Sequence, residues 1–195
     1  MNLFAHKLLG FIRDERGSVL AEAVVILPMF IWSYLAFFVY WDSYKTINVA
    51  QKAAYTVSDL ISREQVTLPT TYVPGMLSLL KYLVDDQTST KIRVTSLVFL
   101  EGATVNVGQD DPDDKTMVQW SISPGDAMTP YTDASLLSVL EKIPAIYDGD
   151  SVILVETSTQ FNPIFDVGMS SREVTNFVVT RPRFLPKICM TGFTC

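Results

Sequence analysis

Nineteen consecutive residues, Ala23 to Trp41, carry no charge. At about 1.5 Å per helical residue the run approaches the ~30 Å hydrocarbon thickness of a bilayer, so it reads as a transmembrane helix. Beyond Trp41 the polarity changes but the helical period does not. Tyr44, Ile47, Gln51, Ala54, Val57 and Ile61 recur at steps of three and four, with Leu60 beside them, while Asp42, Lys45, Lys52, Asp59 and Arg63 take other faces. No Gly or Pro falls between Pro28 and Pro69. The pattern predicts one helix from about Ser18 to about Glu64, roughly 70 Å long, half in a membrane and half outside as an amphipathic stalk. Residues 44–64 also suit an ordinary core helix packed on the following domain, and the two readings are compatible. Within the apolar run, Pro28 removes one main-chain hydrogen bond and is expected to kink or loosen the helix, which membrane helices tolerate. Tyr40, Trp41 and Tyr44 read as an aromatic belt at the outer interface.

The remaining 131 residues, 65–195, suffice for one domain with a single core. Leu68-Pro69-Thr70-Thr71 reads as a linker. Pro74-Gly75 opens a short helix, Met76 to about Val84, ended by Asp85-Asp86. Lys91–Leu100 reads as a strand with Ile92, Val94, Val98 and Leu100 sharing a face. Val118, Trp120 and Ile122 alternate with Met117, Gln119 and Ser121 in another. Ser123-Pro124-Gly125-Asp126 and Asp148-Gly149-Asp150 are turn signals, and Ala134–Lys142 suggests a helix closed by Pro144. Two further strands run from Val152 to about Phe161, ended by Asn162-Pro163, and from Glu173 to Thr180. The expected class is α+β: a long N-terminal transmembrane and stalk helix, then a small outer domain with an antiparallel sheet against that helix.

The start of the chain sets topology. Residues 1–17 hold His6, Lys7, Arg13 and Arg16 against Asp14 and Glu15. Basic residues ahead of an apolar block keep that end in the cytoplasm and leave the rest outside. An ordinary secretory signal needs a small-residue cleavage site after the block, whereas the one A-x-A triplet, Ala21-Glu22-Ala23, precedes it. The choice lies between an uncleaved anchor and cleavage on the cytoplasmic side, at Gly17. Glu22 is a lone acid at the mouth of the run. Such a residue costs a few kcal/mol near mid-membrane and less at the edge, and marks a functional position. Cleavage before Ser18 would free an amine with a reference pKa of about 7.7–8. Ser18 and Glu22 are i and i+4 neighbours on one helical face, and an acid in the first turn suits the positive end of the helix dipole. Pairing of Glu22 with its own amine, or with that of an adjacent subunit, would offset part of the desolvation cost.

Arg13-Asp14-Glu15-Arg16-Gly17-Ser18, then Glu22, then Val24-Val25-Ile26-Leu27-Pro28, resembles the N-terminus of TadE-like proteins. These are minor pilins or pseudopilins of the tight-adherence (Tad) branch of type IV pilus systems. Val179-Thr180-Arg181-Pro182-Arg183 followed by Cys189 is similar to the close of TadE-like outer domains. One departure is Ala23, where family members often place Phe. The resemblance implies a pilin-like fold, cleavage by a prepilin peptidase between Gly17 and Ser18, and intersubunit pairing of Glu22 during assembly or priming of a Tad-type (type IVc-like) pilus. It divides the chain into a leader (1–17), a transmembrane and stalk helix (18–64) and an outer domain (65–195). The implied partners are the major Tad pilin, other minor pilins, a prepilin peptidase and the inner-membrane assembly platform, besides the lipid bilayer. The implied location is the inner membrane, single-pass, with a cytoplasmic N-terminus and a periplasmic C-terminal domain, and with incorporation in an extracellular pilus. The competing expectation is an uncleaved, signal-anchored periplasmic scaffold, binding or adhesion domain.

Composition narrows the chemistry. Residues 1–17 account for three basic and two acidic side chains, so 12 basic and 19 acidic remain after them, a net charge of −7. That balance argues against nucleic acid. The single histidine, His6, lies in the expected leader, which leaves no Ser-His or Cys-His arrangement downstream. G-x-S-x-G, Walker and dinucleotide fingerprints are absent. No enzyme, cofactor or metal is expected. Asp110-Asp111-Pro112-Asp113-Asp114 lacks EF-hand spacing and reads as a solvated hairpin tip. Asp133-Ala134-Ser135 resembles half of the metal motif of von Willebrand-type domains, but Ser138 falls one place late for D-x-S-x-S, so the likeness is set aside. Cys189 and Cys195 suit an intrachain disulfide in an oxidising compartment, about 2 kcal/mol by loop entropy. Free thiols or intermolecular bridges are the alternatives.

Overall fold

The computed structural model describes residues 16–85, 89–100, 115–193 and 195. The expected leader up to residue 15, Asp86 and the acidic run Asp110–Asp114 lie outside them. Arg16–Ser62 form one 47-residue helix, α1, which runs unbroken through Pro28. Its ends fall two residues ahead of those the periodicity suggests. The elements that follow are α2 (Tyr72–Val84), β1 (Lys91–Leu100), β2 (Lys115–Ile122), a 3-10 turn (Pro124–Asp126), α3 (Asp133–Leu136), a second 3-10 turn (Leu140–Lys142), β3 (Ser151–Phe161) and β4 (Arg172–Thr180). The four strands form one antiparallel sheet in the order β2-β1-β3-β4. A long apolar helix with a small antiparallel sheet makes the chain α+β.

The chain divides into two compact units. One is the first part of α1, through Ser43, with Pro163–Ser170. The other is Tyr44–Asn162 with Ser171–Cys195.

In the second unit the sheet is covered on both faces, where the sequence suggested a single core. On one face Ala53, Val57 and Ile61 of α1 and Val73 and Leu80 of α2 meet Ile92, Val94, Trp120, Ile153 and Val155 of the strands. On the other, Leu97, Phe99 and Val152 meet Leu136, Val139 and Ile146 from the connection between β2 and β3. The two-residue period of a strand separates these sets, and the register keeps them apart. Val94 pairs with Val155 on the first face, and Leu97 with Val152 on the second.

A bulge explains the one misassigned face in β2. Between Ser96 and Leu97 the β1–β2 register jumps, so that Ser96 faces Trp120 while Leu97 faces Val118. Gln119 is the extra residue, and its side-chain oxygen accepts from Ser96 Oγ at 3.0 Å. One inserted residue sends the following side chain to the opposite face. Val118 therefore packs with the second core while Trp120 and Ile122 pack with the first. In β1, Phe99 and Leu97 are buried, whereas Leu100, expected inward, is exposed.

Other expectations also shift. The buried seam of α1 in this unit is Ala50, Ala53, Ala54, Val57, Ser58, Ile61 and Ser62. Tyr44 and Gln51, expected on it, are exposed. Alanines and serines keep the helix backbone close to what it packs on. Leu68 belongs to no linker: it is 1% exposed, its N–H donates to the Cys189 carbonyl and its carbonyl accepts from Thr191 N–H, both at 2.9 Å. α2 begins at Tyr72, four residues early, with Pro74 in the first turn where no N–H partner is needed. Ala134–Lys142 is not one helix. Ser135 Oγ donates to Thr132 O and Ser138 Oγ to Ser135 O. These hydroxyls compete with the main-chain ladder, and only α3 and a 3-10 turn survive.

Candidate membrane and assembly surface

α1 turns from an all-round apolar rod to a one-sided seam along its length. Leu20 is 71% exposed and Phe30 70%, with Val24, Val25, Leu27, Met29, Ile31, Trp32, Tyr34 and Phe37 also open on every side of the helix. A helix apolar all round belongs in a large core or a membrane, and only 11% of its most apolar stretch is buried. By length and composition α1 can cross a membrane, which is compatible with a single-pass anchor.

Gly17 and Ser18 lie in the helical backbone of α1, and Glu22 follows one turn later. Ser18 and Glu22 thus stand about 6 Å apart along one face. Glu22 is exposed, with Leu20 before it and the uncharged run after it. Pro28 lies two turns further on. Tyr40, Trp41 and Tyr44 are 56%, 63% and 68% exposed, as a belt against a surrounding phase requires. Two open apolar grooves follow the helix, one lined by Ile26, Met29, Phe30 and Ser33, the other by Tyr34, Phe37, Phe38 and Trp41.

The segment joining β3 to β4 shares the first unit with this part of α1. The Phe165 ring meets Phe38 edge-on at 6.3 Å. Nothing in the strand periodicity points to this segment; the adjacent apolar pair Ile164-Phe165, just after Asn162-Pro163, is the signal that could have found it.

In the second unit several described polar groups serve the fold, while Ser58 Oγ is buried without a hydrogen-bond partner. Cys189 and Cys195 are paired, with Cα atoms 5.4 Å apart, within the usual range for a disulfide. The tail they close is core: Ile188 and Met190 are buried, and Trp120 Nε1–H donates to the Ile188 carbonyl at 2.8 Å. Arg93 Nε donates to Glu156 Oε2 at 2.6 Å, and its guanidinium stacks 3.7 Å from the Tyr131 ring centre. Tyr131 Oη donates to the other Glu156 oxygen at 3.1 Å. Burial first, then the Glu156 charge, raises the Tyr131 phenol above its ordinary pKa, with Arg93 opposing. Tyr72 Oη donates to Glu64 at 2.8 Å; burial and then that carboxylate push its phenol up strongly. This cluster was not found from the sequence; Arg93 and Glu156, each charged within a largely apolar strand, are the signal that could have found it. Asp133 Oδ1 accepts from Val118 N–H at 2.8 Å, and Thr132 with Ser135 forms a capping box at the start of α3. Among the described residues no group of three or more His, Cys, Asp or Glu side chains is placed to hold a metal ion.

No family model, curated protein or solved structure matches the chain.

Proposed function

We propose that the chain is a minor pilin or pseudopilin of a Tad-type pilus: inserted as a single-pass inner-membrane precursor, cut after Gly17 on the cytoplasmic side, and used in assembling or priming the filament. It acts by association rather than catalysis. The observation that carries the reading is a single one: a helix apolar on all sides over Ala23–Trp41 bears one acid, Glu22, one turn beyond Gly17-Ser18. An acid there is costly unless a cation meets it, and cleavage creates that cation at Ser18. The neighbours then bundle their apolar faces, while Glu22 fixes their axial register against a terminal amine. The major pilin, other minor pilins, a prepilin peptidase and the assembly platform are the partners this scheme requires. The sheet unit, with its own two-sided core, faces the periplasm.

The test is the processed N-terminus of protein made in its own host, read by intact mass. A chain beginning at Ser18 supports the proposal. A chain retaining residues 1–17 in the presence of the cognate peptidase refutes it and leaves an anchored periplasmic scaffold or adhesion domain. A Glu22→Leu variant separates the steps: cleavage persists and filaments are lost, whereas normal filaments would remove the charge-pairing role.

A further inference from the structure

We infer that the β3–β4 loop, Pro163–Ser170, is a second membrane contact that seats Ile164 and Phe165 in the headgroup layer beside the Trp41 end of α1; the inference rests on α1 spanning the bilayer. Five of the eight loop residues are apolar: Pro163, Ile164, Phe165, Val167 and Met169. A turn between two strands has no such need of hydrophobic side chains, since connections ordinarily face water.

The loop does not bury them all. Val167 is 8% exposed, but Ile164 is 67% and Phe165 41%. Phe165 leans edge-on against Phe38, whose own ring is 41% exposed, with Tyr40 and Trp41 open nearby in sequence. The loop's free apolar surface is therefore continuous with that of the span and its aromatic belt.

Helical rise gives the depth. Phe38 lies sixteen residues beyond Glu22, about 24 Å along the axis, and Trp41 about 28 Å. With Glu22 at one edge of a ~30 Å hydrocarbon core, Phe38 sits a few ångströms inside the opposite edge. An irregular loop goes no deeper, because its main-chain groups would lose their partners in hydrocarbon. The headgroup layer hydrates them and still accepts aliphatic and aromatic side chains to roughly 5–10 Å. Gly168, at φ 92°, makes the reversal there, a conformation that favours glycine.

The test uses the full chain in vesicles of phosphatidylethanolamine and phosphatidylglycerol. An environment-sensitive fluorophore is attached to a single new thiol at Ile164→Cys, Ile31→Cys or Tyr147→Cys. The native cysteines are paired, and all three positions are more than half exposed. Lipids carry a nitroxide either near the headgroup or at mid-chain. The expected result is mid-chain quenching at position 31, headgroup-level quenching at 164 several-fold above that at 147, and none of note at 147. Quenching at 31 with position 164 no different from 147 overturns the loop proposal and leaves the span intact. No quenching at 31 overturns the span, and the loop proposal with it. A label at 164 that is shielded from iodide without nitroxide quenching, increasingly so at higher protein-to-lipid ratio, assigns the loop to a second subunit and also overturns the proposal.

Discussion

Removing Glu156 should damage the second unit far more than removing both Glu156 and its partner. Both side chains of the Arg93–Glu156 pair are only 12% exposed, and the contact is 2.6 Å. At about 4 Å between charge centres and an effective dielectric of about 20, the attraction is about 4 kcal/mol. Desolvation of both ions offsets most of it, so the intact pair stabilises little. Glu156→Ala leaves the Arg93 cation buried with the Thr129 carbonyl, at 2.6 Å, and the Tyr131 ring as its company. Breaking one half of a buried pair costs about 3–5 kcal/mol, and Arg93→Met should cost a similar amount. In Arg93→Met/Glu156→Leu both charges go while the apolar stems stay. Thr129 is exposed, so water can satisfy its carbonyl. The Tyr131 hydroxyl loses its acceptor, a penalty of about 1–3 kcal/mol. The double variant should therefore fall short of the summed singles by about 3 kcal/mol or more. Urea unfolding of the full chain in detergent micelles, followed by near-UV circular dichroism, supplies the four stabilities of the cycle. Additive singles, coupling below about 0.5 kcal/mol, or a Glu156→Ala loss under about 1 kcal/mol would mean that the pair behaves like a solvated one, and the reasoning fails.

Two more outcomes follow from the same unit. Ile61→Ala, at a position 0% exposed, should cost about 2–5 kcal/mol, whereas Leu60→Ala, 39% exposed, should cost well under that; equal losses in the same urea assay would deny that α1 is seated by its 53/57/61 face. The Tyr72 phenol binds its proton more tightly in the fold than in the unfolded chain, where its pKa is about 10. Its contribution is thus whole below about pH 10 and is lost as the pH climbs above that value. Tyr131 is raised in the same sense, so Tyr72→Phe should make the alkaline decline shallower without abolishing it, by up to about 1.4 kcal/mol per pH unit. An unchanged slope in urea titrations above pH 10 refutes this.

What could be read from the sequence was local. Uncharged length located the membrane-compatible part of α1; alternation located β1 and β2, and apolar runs set off by turn signals located β3 and β4, all to within a residue or two. The choice of face at Val118 was not legible, because a bulge is set by the pairing of Gln119 with β1 rather than by its neighbours in sequence. The apparent linker at Leu68 is held by a partner more than a hundred residues away, which no window of sequence contains. Over Ala134–Lys142 the expected helix gives way to α3 and a 3-10 turn, because the Ser135 and Ser138 hydroxyls donate to main-chain carbonyls three residues back. The candidate assembly site is the reverse case: Gly17, Ser18 and Glu22 lie on one helix, so their spacing carries the geometry by itself.

α1 is apolar all round in its first part and one-sided further on, and for the proposed assembly that composition argues against passage through water. Thirteen large apolar or aromatic side chains between Val24 and Trp41 are exposed. At about 1.5–3 kcal/mol for each fully buried side chain, hydrating them would cost on the order of 20 kcal/mol or more. No single contact in the second unit offsets that, and in the seam there Ala53, Val57 and Ile61 are already committed to the sheet. In the proposed assembly α1 therefore leaves lipid only as neighbouring helices replace it, one apolar surface for another, with little net hydrophobic gain. In that proposal the near-balance gives weight to Glu22, the charged group at the start of the uncharged run. In lipid, the one terminal amine within reach of Glu22 in this scheme is that of its own chain. Among packed helices it can take a neighbour's, and only in one axial register. Under this proposal the apolar residues make the exchange nearly neutral, and Glu22 sets where it stops.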